Sequence, residues 1–201
     1  VEDGVMSSIN WGDYEIFKPA VYGLPEQLSR ADARKNYDQW IAQKPQRIEQ
    51  LHRLLELNGF QLDTSDEKIQ QLNDWFIDHV EPNPKPNPEM AGALDGLWYS
   101  VAFDIAAFLG DVMIERDPRL YWHLFIPRNP KYVGYQNHVI HGFTYGLGKI
   151  QPNACYELDG IVTGVGQGAV MGEIGNSRTT FVGVLAGARN KMQKQEMPSV
   201  L

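Results

Sequence analysis

A chain of 201 residues, 43% hydrophobic and 21% charged, is long enough for one good core with a small appendage and has the composition of an ordinary globular protein. Its formal net charge of −7 argues against non-specific nucleic-acid binding and would suit a basic protein partner. A single cysteine, Cys155, excludes an intramolecular disulfide and any cysteine-rich zinc site.

Residues 1–25 read as irregular, punctuated by Gly4, Gly12, Pro19, Gly23 and Pro25. The opening VEDGVMSSINWGDYE has acids where a secretory leader carries basic residues, and it has no apolar run. The expectation is a chain without a signal peptide, in a reducing, cytoplasmic setting. Ser29 with Asp32 three residues on predicts a helix start. That helix runs to about Gln43, with Ala33, Tyr37, Trp40 and Ile41 on one side. Pro45 suits the first turn of a second helix. It buries Ile48, Leu51, Leu54, Leu55 and Leu57 and stops at Gly59. Thr64 or Ser65 caps a third, with Ile69, Leu72, Trp75, Phe76 and Val80 at helical spacing. Three such helices with short connections predict an antiparallel helical layer.

The alternating prolines of EPNPKPNPEM, residues 81–90, force an extended, polyproline-like strut. It is read as a surface strap rather than a boundary, which makes residues 1–201 a single domain. Beyond it, Ala93 to Arg116 is the longest apolar stretch of the chain. Apolar nearly all round as a helix, it is expected to be buried on several sides. Its 24 residues could span a bilayer, but Asp95, Asp104 and Asp111 oppose that, because a carboxylate in mid-membrane costs several kcal/mol. Asp104, between Phe103 and Ile105, either meets a solvent seam, accepts hydrogen bonds from a neighbouring loop, or is a functional carboxylate.

After Asp117 and Pro118 the periodicity changes to strands: Tyr121 to Ile126, a short one over Lys131 to Tyr135, and Gln136 to Phe143. The glycines of 160–175 allow a flexible loop or a glycine-interrupted helix. Thr179 to Lys191 reads as a closing helix with Phe181, Val184, Leu185 and Ala188 inward, followed by a frayed tail over 192–201. The predicted fold is α+β: a helical layer with a long buried central helix on a small antiparallel sheet of two or three strands.

Site signals are sparse. His138 and His141 are three apart, so on a strand they point to opposite faces and do not make a ligand pair. A metal assembled from His123, one of His138 or His141, and Asp104 or Asp111 is the residual option; the expectation is no metal and no cofactor. The glycine-rich run lacks both dinucleotide and P-loop spacing. Cys155 reads as a buried thiol. Asp111 and Glu115, one helical turn apart, are expected to pair at the surface with Arg116 and Arg119. Most of the five tryptophans should be core, with an exposed one beside acids as a candidate protein-binding anchor.

The segments YGLPEQLSRADAR, LNDWF, WYSVAFDIAAFLGDVMIERDPRLYW and NHVIHGF together resemble a family of uncharacterised bacterial proteins, over roughly residues 20–145. The resemblance implies a shared fold and a bacterial, cytoplasmic origin, with no activity attached. A helix ending LG-acid-V before a tryptophan-led strand is also similar to segments of immunity-like proteins in bacterial toxin systems. The preferred reading is a non-enzymatic binding protein, immunity-like, engaging a protein partner through an acidic surface that includes Trp75, Asp111, Glu115 and Trp122. The alternative is a small hydrolase-type enzyme that uses Asp104 or Asp111 with His123 or His138.

Overall fold

A computed structural model describes residues 9–85, 92–173 and 179–193. Among these residues the fold is α+β: five α-helices packed with a two-stranded antiparallel sheet. In chain order they are α1 (Arg30–Leu57), α2 (Asp66–His79), α3 (Gly96–Arg116), β1 (Tyr121–Leu124), β2 (His138–His141), α4 (Leu158–Val170) and α5 (Phe181–Asn190).

The two helices expected on either side of Pro45 are one. Ser29 caps α1 by accepting from the Asp32 N–H, and Pro45 lies inside the helix. A proline there forgoes one backbone hydrogen bond at about 3 kcal/mol. A straight α1 offsets this by placing Trp40, Arg47, Leu51, Leu54 and Leu55 on one continuous buried stripe. Leu57, expected inside, is exposed. Ser65, rather than Thr64, caps α2, and Ile69, Leu72, Trp75 and Phe76 are buried as their spacing predicts.

Helix α3 is the centre of the molecule. It begins at Gly96, three residues later than expected, because Asp95 caps it by accepting from the Leu97 N–H. Thirteen of its 21 residues are buried, Trp98, Val101, Ile105 and Leu109 completely. By length and composition α3 could cross a membrane, but most of that stretch is buried against the rest of the chain. Before it, Pro82 bridges Leu94 backbone to backbone, so the first part of the strut returns along the start of this segment. Residues 86–91 of the strut, and the tail from 194, lie outside the described residues.

The sheet pairs Tyr121 with His141 and Leu124 with His138. The strand expected over Lys131 to Tyr135 is instead a run of turns, with Gly134 at φ +83° and Gln136 at +59°. A left-handed residue breaks the alternation a strand needs. A single bridge joins Ile140 to Tyr156, with hydrogen bonds of 2.9 and 3.0 Å in the two directions. This bridge brings the start of α4 beside β2. Trp122 lies across α3 at Gly110, where a β-carbon would sit inside the indole.

The glycine-rich run resolves into helix α4 as far as Val170, and its last residues, 174–175, lie outside the described residues. In α4 a β-carbon on Gly166 would come within 2.9 Å of Phe76 and 3.0 Å of Leu94, so this glycine permits the close approach, whereas Gly164 and Gly168 face open space. Phe181, Val184, Leu185 and Ala188 of α5 are buried, as expected. One hydrophobic cluster draws on all five helices and β2.

Candidate functional site

A cavity of about 470 Å³ lies between α1, α3, the start of α4, the sheet and the irregular segment 17–28. That volume is within the range of small-molecule sites. Phe17, Tyr37, Trp40, Tyr99 and Phe103 give it aromatic walls, and Arg47, Asp104, Gln136, His138, Glu157, Asp159 and Thr163 supply its polar groups.

Strand parity places His138 and Leu124 on the cavity side of the sheet with Trp122, and Tyr121, His123 and His141 on the other. The two histidines of the HVIH segment are accordingly separated. His141 contacts the Tyr121 hydroxyl through Nδ1 at 3.0 Å and lies beside His123. His138 stacks on Trp40 and sets Nε2 2.9 Å from Oδ2 of Asp159, close but not aligned as a hydrogen bond. Glu157 caps α4 by accepting from the Gly160 N–H at 2.9 Å. Burial, reinforced by the neighbouring Asp159 charge, pushes its carboxyl up to about 7.

Gln136 is buried, and its amide nitrogen donates to the carbonyls of Pro25 at 2.6 Å and Leu28 at 2.9 Å. Two carbonyls fix the amide orientation. Its Oε1 has no partner among the described residues, and neither do Asp159 Oδ1 and Thr163 Oγ1, buried atoms of residues that line the cavity; His138 Nε2 has Asp159 Oδ2 at 2.9 Å.

At the far end, Arg47 and Asp104 form a buried ion pair. Nε and Nη2 of Arg47 donate to the two carboxylate oxygens at 2.8 and 2.7 Å. The Tyr14 hydroxyl donates to the same carboxylate, and Ser100 joins through Arg47 and the Phe17 N–H. Asp104 therefore meets a fully bonded internal network rather than a solvent seam. Burial pushes its carboxyl up to about 6 against the opposing pull of Arg47, and drives the Tyr14 hydroxyl far above its ordinary range.

The other nominated residues lie apart from the cavity. Asp111 pairs with Lys44 and accepts from the Trp122 indole N–H at 2.8 Å; its expected surface pairing with Arg116 or Arg119 does not form. Those arginines bind Asp66 and Asp117, because the ends of α2 and α3 bring these acids closer. Glu115 is exposed, and Trp75 is buried against Trp98 and His79. His123 is exposed on the outer face of β1. Among the described residues, neither Asp104 nor Asp111 bonds to a histidine, and no group of three or more potential ligands is placed to hold a metal ion.

No family model, no curated protein and no solved structure matches the chain. Its own geometry carries the functional reading.

Glu157, Asp159, Thr163 and Gln136 were not singled out from the sequence. One signal was there: Glu157 and Asp159 are the only charged residues between Lys149 and Glu173. An acid at the N-cap and another in the first turn are ordinary helix-start chemistry, so this signal marks the start of α4 and not, by itself, a site.

Proposed function

We propose that this chain binds a small organic molecule in the cavity between α1, α3 and α4. The observation that carries the reading is a cavity of small-molecule size whose lining residues include three with buried polar atoms, Gln136 Oε1, Asp159 Oδ1 and Thr163 Oγ1, that have no partner among the described residues. Each such atom costs about 1–3 kcal/mol when unmet, so a fold keeps them together only where something else supplies the partners.

The His138–Asp159 pair favours a second reading, that the bound molecule also undergoes proton transfer. The imidazole and carboxylate lie 2.9 Å apart, beside the Glu157 carboxyl that burial pushes up to about 7, which puts a donor–acceptor pair and a group that exchanges its proton near neutral pH on one wall of the cavity. This is the hydrolase-type alternative, with Asp159 as the acid in place of Asp104 or Asp111. The proposal of an acidic, immunity-like protein-binding face has less support. Of its four residues, Trp75 is buried, Asp111 and Trp122 are bonded to each other, and Glu115 is exposed.

A ligand-detected NMR fragment screen tests the main reading, run on the wild type and on Ala33→Met, which puts a longer side chain into the cavity wall. Fragments that bind the wild type and are lost in a folded Ala33→Met support it. Hits that survive the filled cavity, or a wild type without hits, overturn it.

A further inference from the structure

The charged lining of the cavity is acidic, while its neutral lining holds donors as well as acceptors, on Tyr37, Tyr99, Asn137 and Thr163. Asp159 Oδ1 and Gln136 Oε1 are buried acceptors without a partner among the described residues, and Glu157 adds a second carboxylate two residues from Asp159. Gln136 is 4% exposed, and both partners of its amide nitrogen are backbone carbonyls, so the oxygen cannot exchange places with the nitrogen.

Arg47 is the one Lys or Arg among the described lining residues, and its donors are spent. Nε goes to Asp104, Nη1 to the Glu15 carbonyl and Gln50, and Nη2 to Asp104, Ser100 and Tyr14. A carboxylate or phosphate entering the cavity would face Asp159 and Glu157 with no free guanidinium or ammonium to receive it. A cation with N–H groups would meet the reverse: two carboxylates, an amide oxygen and a hydroxyl without a partner. The remaining walls are Phe17, Tyr37, Trp40, Tyr99 and Phe103, ring systems whose faces attract a cation.

Resting on the reading of this cavity as the functional site, we infer that its ligand is a free small-molecule amine, bound as the ammonium with its N–H groups donating to Asp159 and Gln136 and its organic body against the aromatic walls. The acceptors set the requirement for N–H. A fully methylated ammonium satisfies the charge and the rings but leaves Asp159 Oδ1 and Gln136 Oε1 bare.

The test is an NMR titration of the whole chain at pH 8 with compounds that share one body: 2-phenylethylamine, its N,N,N-trimethyl derivative, 2-phenylethanol and 3-phenylpropanoate. The amine is expected to bind about tenfold or more tightly than the alcohol and the carboxylate, and about tenfold more tightly than the trimethyl compound. Asp159→Asn should erase the preference for the amine over the alcohol while leaving the alcohol's own binding in place. Equal or tighter binding of the carboxylate or the alcohol overturns the inference. So does tighter binding of a lysine-containing peptide than of 2-phenylethylamine, which would move the site to a protein ligand. If none of the compounds binds while the fragment screen finds cavity ligands, the amine assignment falls and the cavity reading stands. If the screen is empty too, both fall.

Discussion

The imidazole of His138 lies flat on the indole of Trp40, ring centroids 3.7 Å apart and planes 8° from parallel. The stack fixes the plane of the imidazole, and the sheet fixes its root, so Nε2 is held beside Asp159 in the absence of an aligned hydrogen bond. His138→Phe keeps a ring on Trp40 and removes both nitrogens. Its folding stability should stay within about 1 kcal/mol of wild type, because packing is nearly conserved. Ligand affinity should drop by about tenfold or more. Denaturant melts and ligand titration of the same sample separate the two effects.

Thr163 offers the complementary case. Its hydroxyl is buried without a partner, and valine has the same shape without the oxygen. Thr163→Val should raise the stability of the unliganded chain by about 1 kcal/mol and weaken ligand binding. A gain in stability paired with a loss of affinity is the behaviour of a group kept for a ligand. A loss of stability would mean the hydroxyl is already satisfied.

The Glu157 carboxyl titrates near 7 in the fold, against an ordinary value of 4.5. Between those values the folded chain retains a proton that the unfolded chain has released. Stability therefore falls as pH rises through this window, and the penalty is complete above about pH 7. Asp159 reinforces the shift, while His138 and the Gly160 N–H oppose it. Glu157→Gln keeps an oxygen for the Gly160 N–H and cannot ionise. Its stability relative to wild type should be near zero at pH 4 and most favourable at pH 8, measured by urea denaturation across that range.

Arg47 and Asp104 show which part of the molecule could be read from the chain and which could not. Asp104 stands out in the sequence because a lone acid inside an apolar helix demands a partner. The partner was hidden by Pro45. With a helix break there, the side of the molecule that Arg47 faces is undetermined; with α1 continuous, Arg47 falls seven residues after Trp40 and on the same buried stripe. The central helix, α2 and α5 were legible because their apolar spacing and caps agree. The turn at 131–136 was not, because the left-handed Gln136 is held by contacts to Pro25 and Leu28, more than a hundred residues away in sequence. Most of the cavity lining escaped for a similar reason: Glu157 and Asp159 reach His138 through the Ile140–Tyr156 bridge, and no local pattern announces a bridge.

Because Arg47 and Asp104 are buried together, either one alone is a stranded charge or an unpaired polar group. Asp104→Asn and Arg47→Met should each cost about 3–5 kcal/mol. Pairing Arg47→Met with Asp104→Leu should cost much less than the sum of the single changes, since no charge is left behind. Four denaturation curves close this cycle. Additive losses would show that the two side chains do not act as a pair.

The last test uses glycines of a single helix against one another. Helix propensity alone says that alanine should improve both Gly164 and Gly166, by about 1 kcal/mol each. At Gly164, exposed and with nothing within 4 Å of the added carbon, propensity should prevail and Gly164→Ala should raise the melting temperature by about 2–4 °C. At Gly166 the new carbon would press on Phe76 and Leu94, both essentially without exposure and packed on other elements, so neither can swing into solvent. Overpacking of that kind costs about 1–3 kcal/mol, more than the propensity gain, so Gly166→Ala should lower the melting temperature. Opposite signs two residues apart would establish that α4 is a helix closely packed on one side. A shared sign would mean that the packing of α4 on α2 is looser than these distances require.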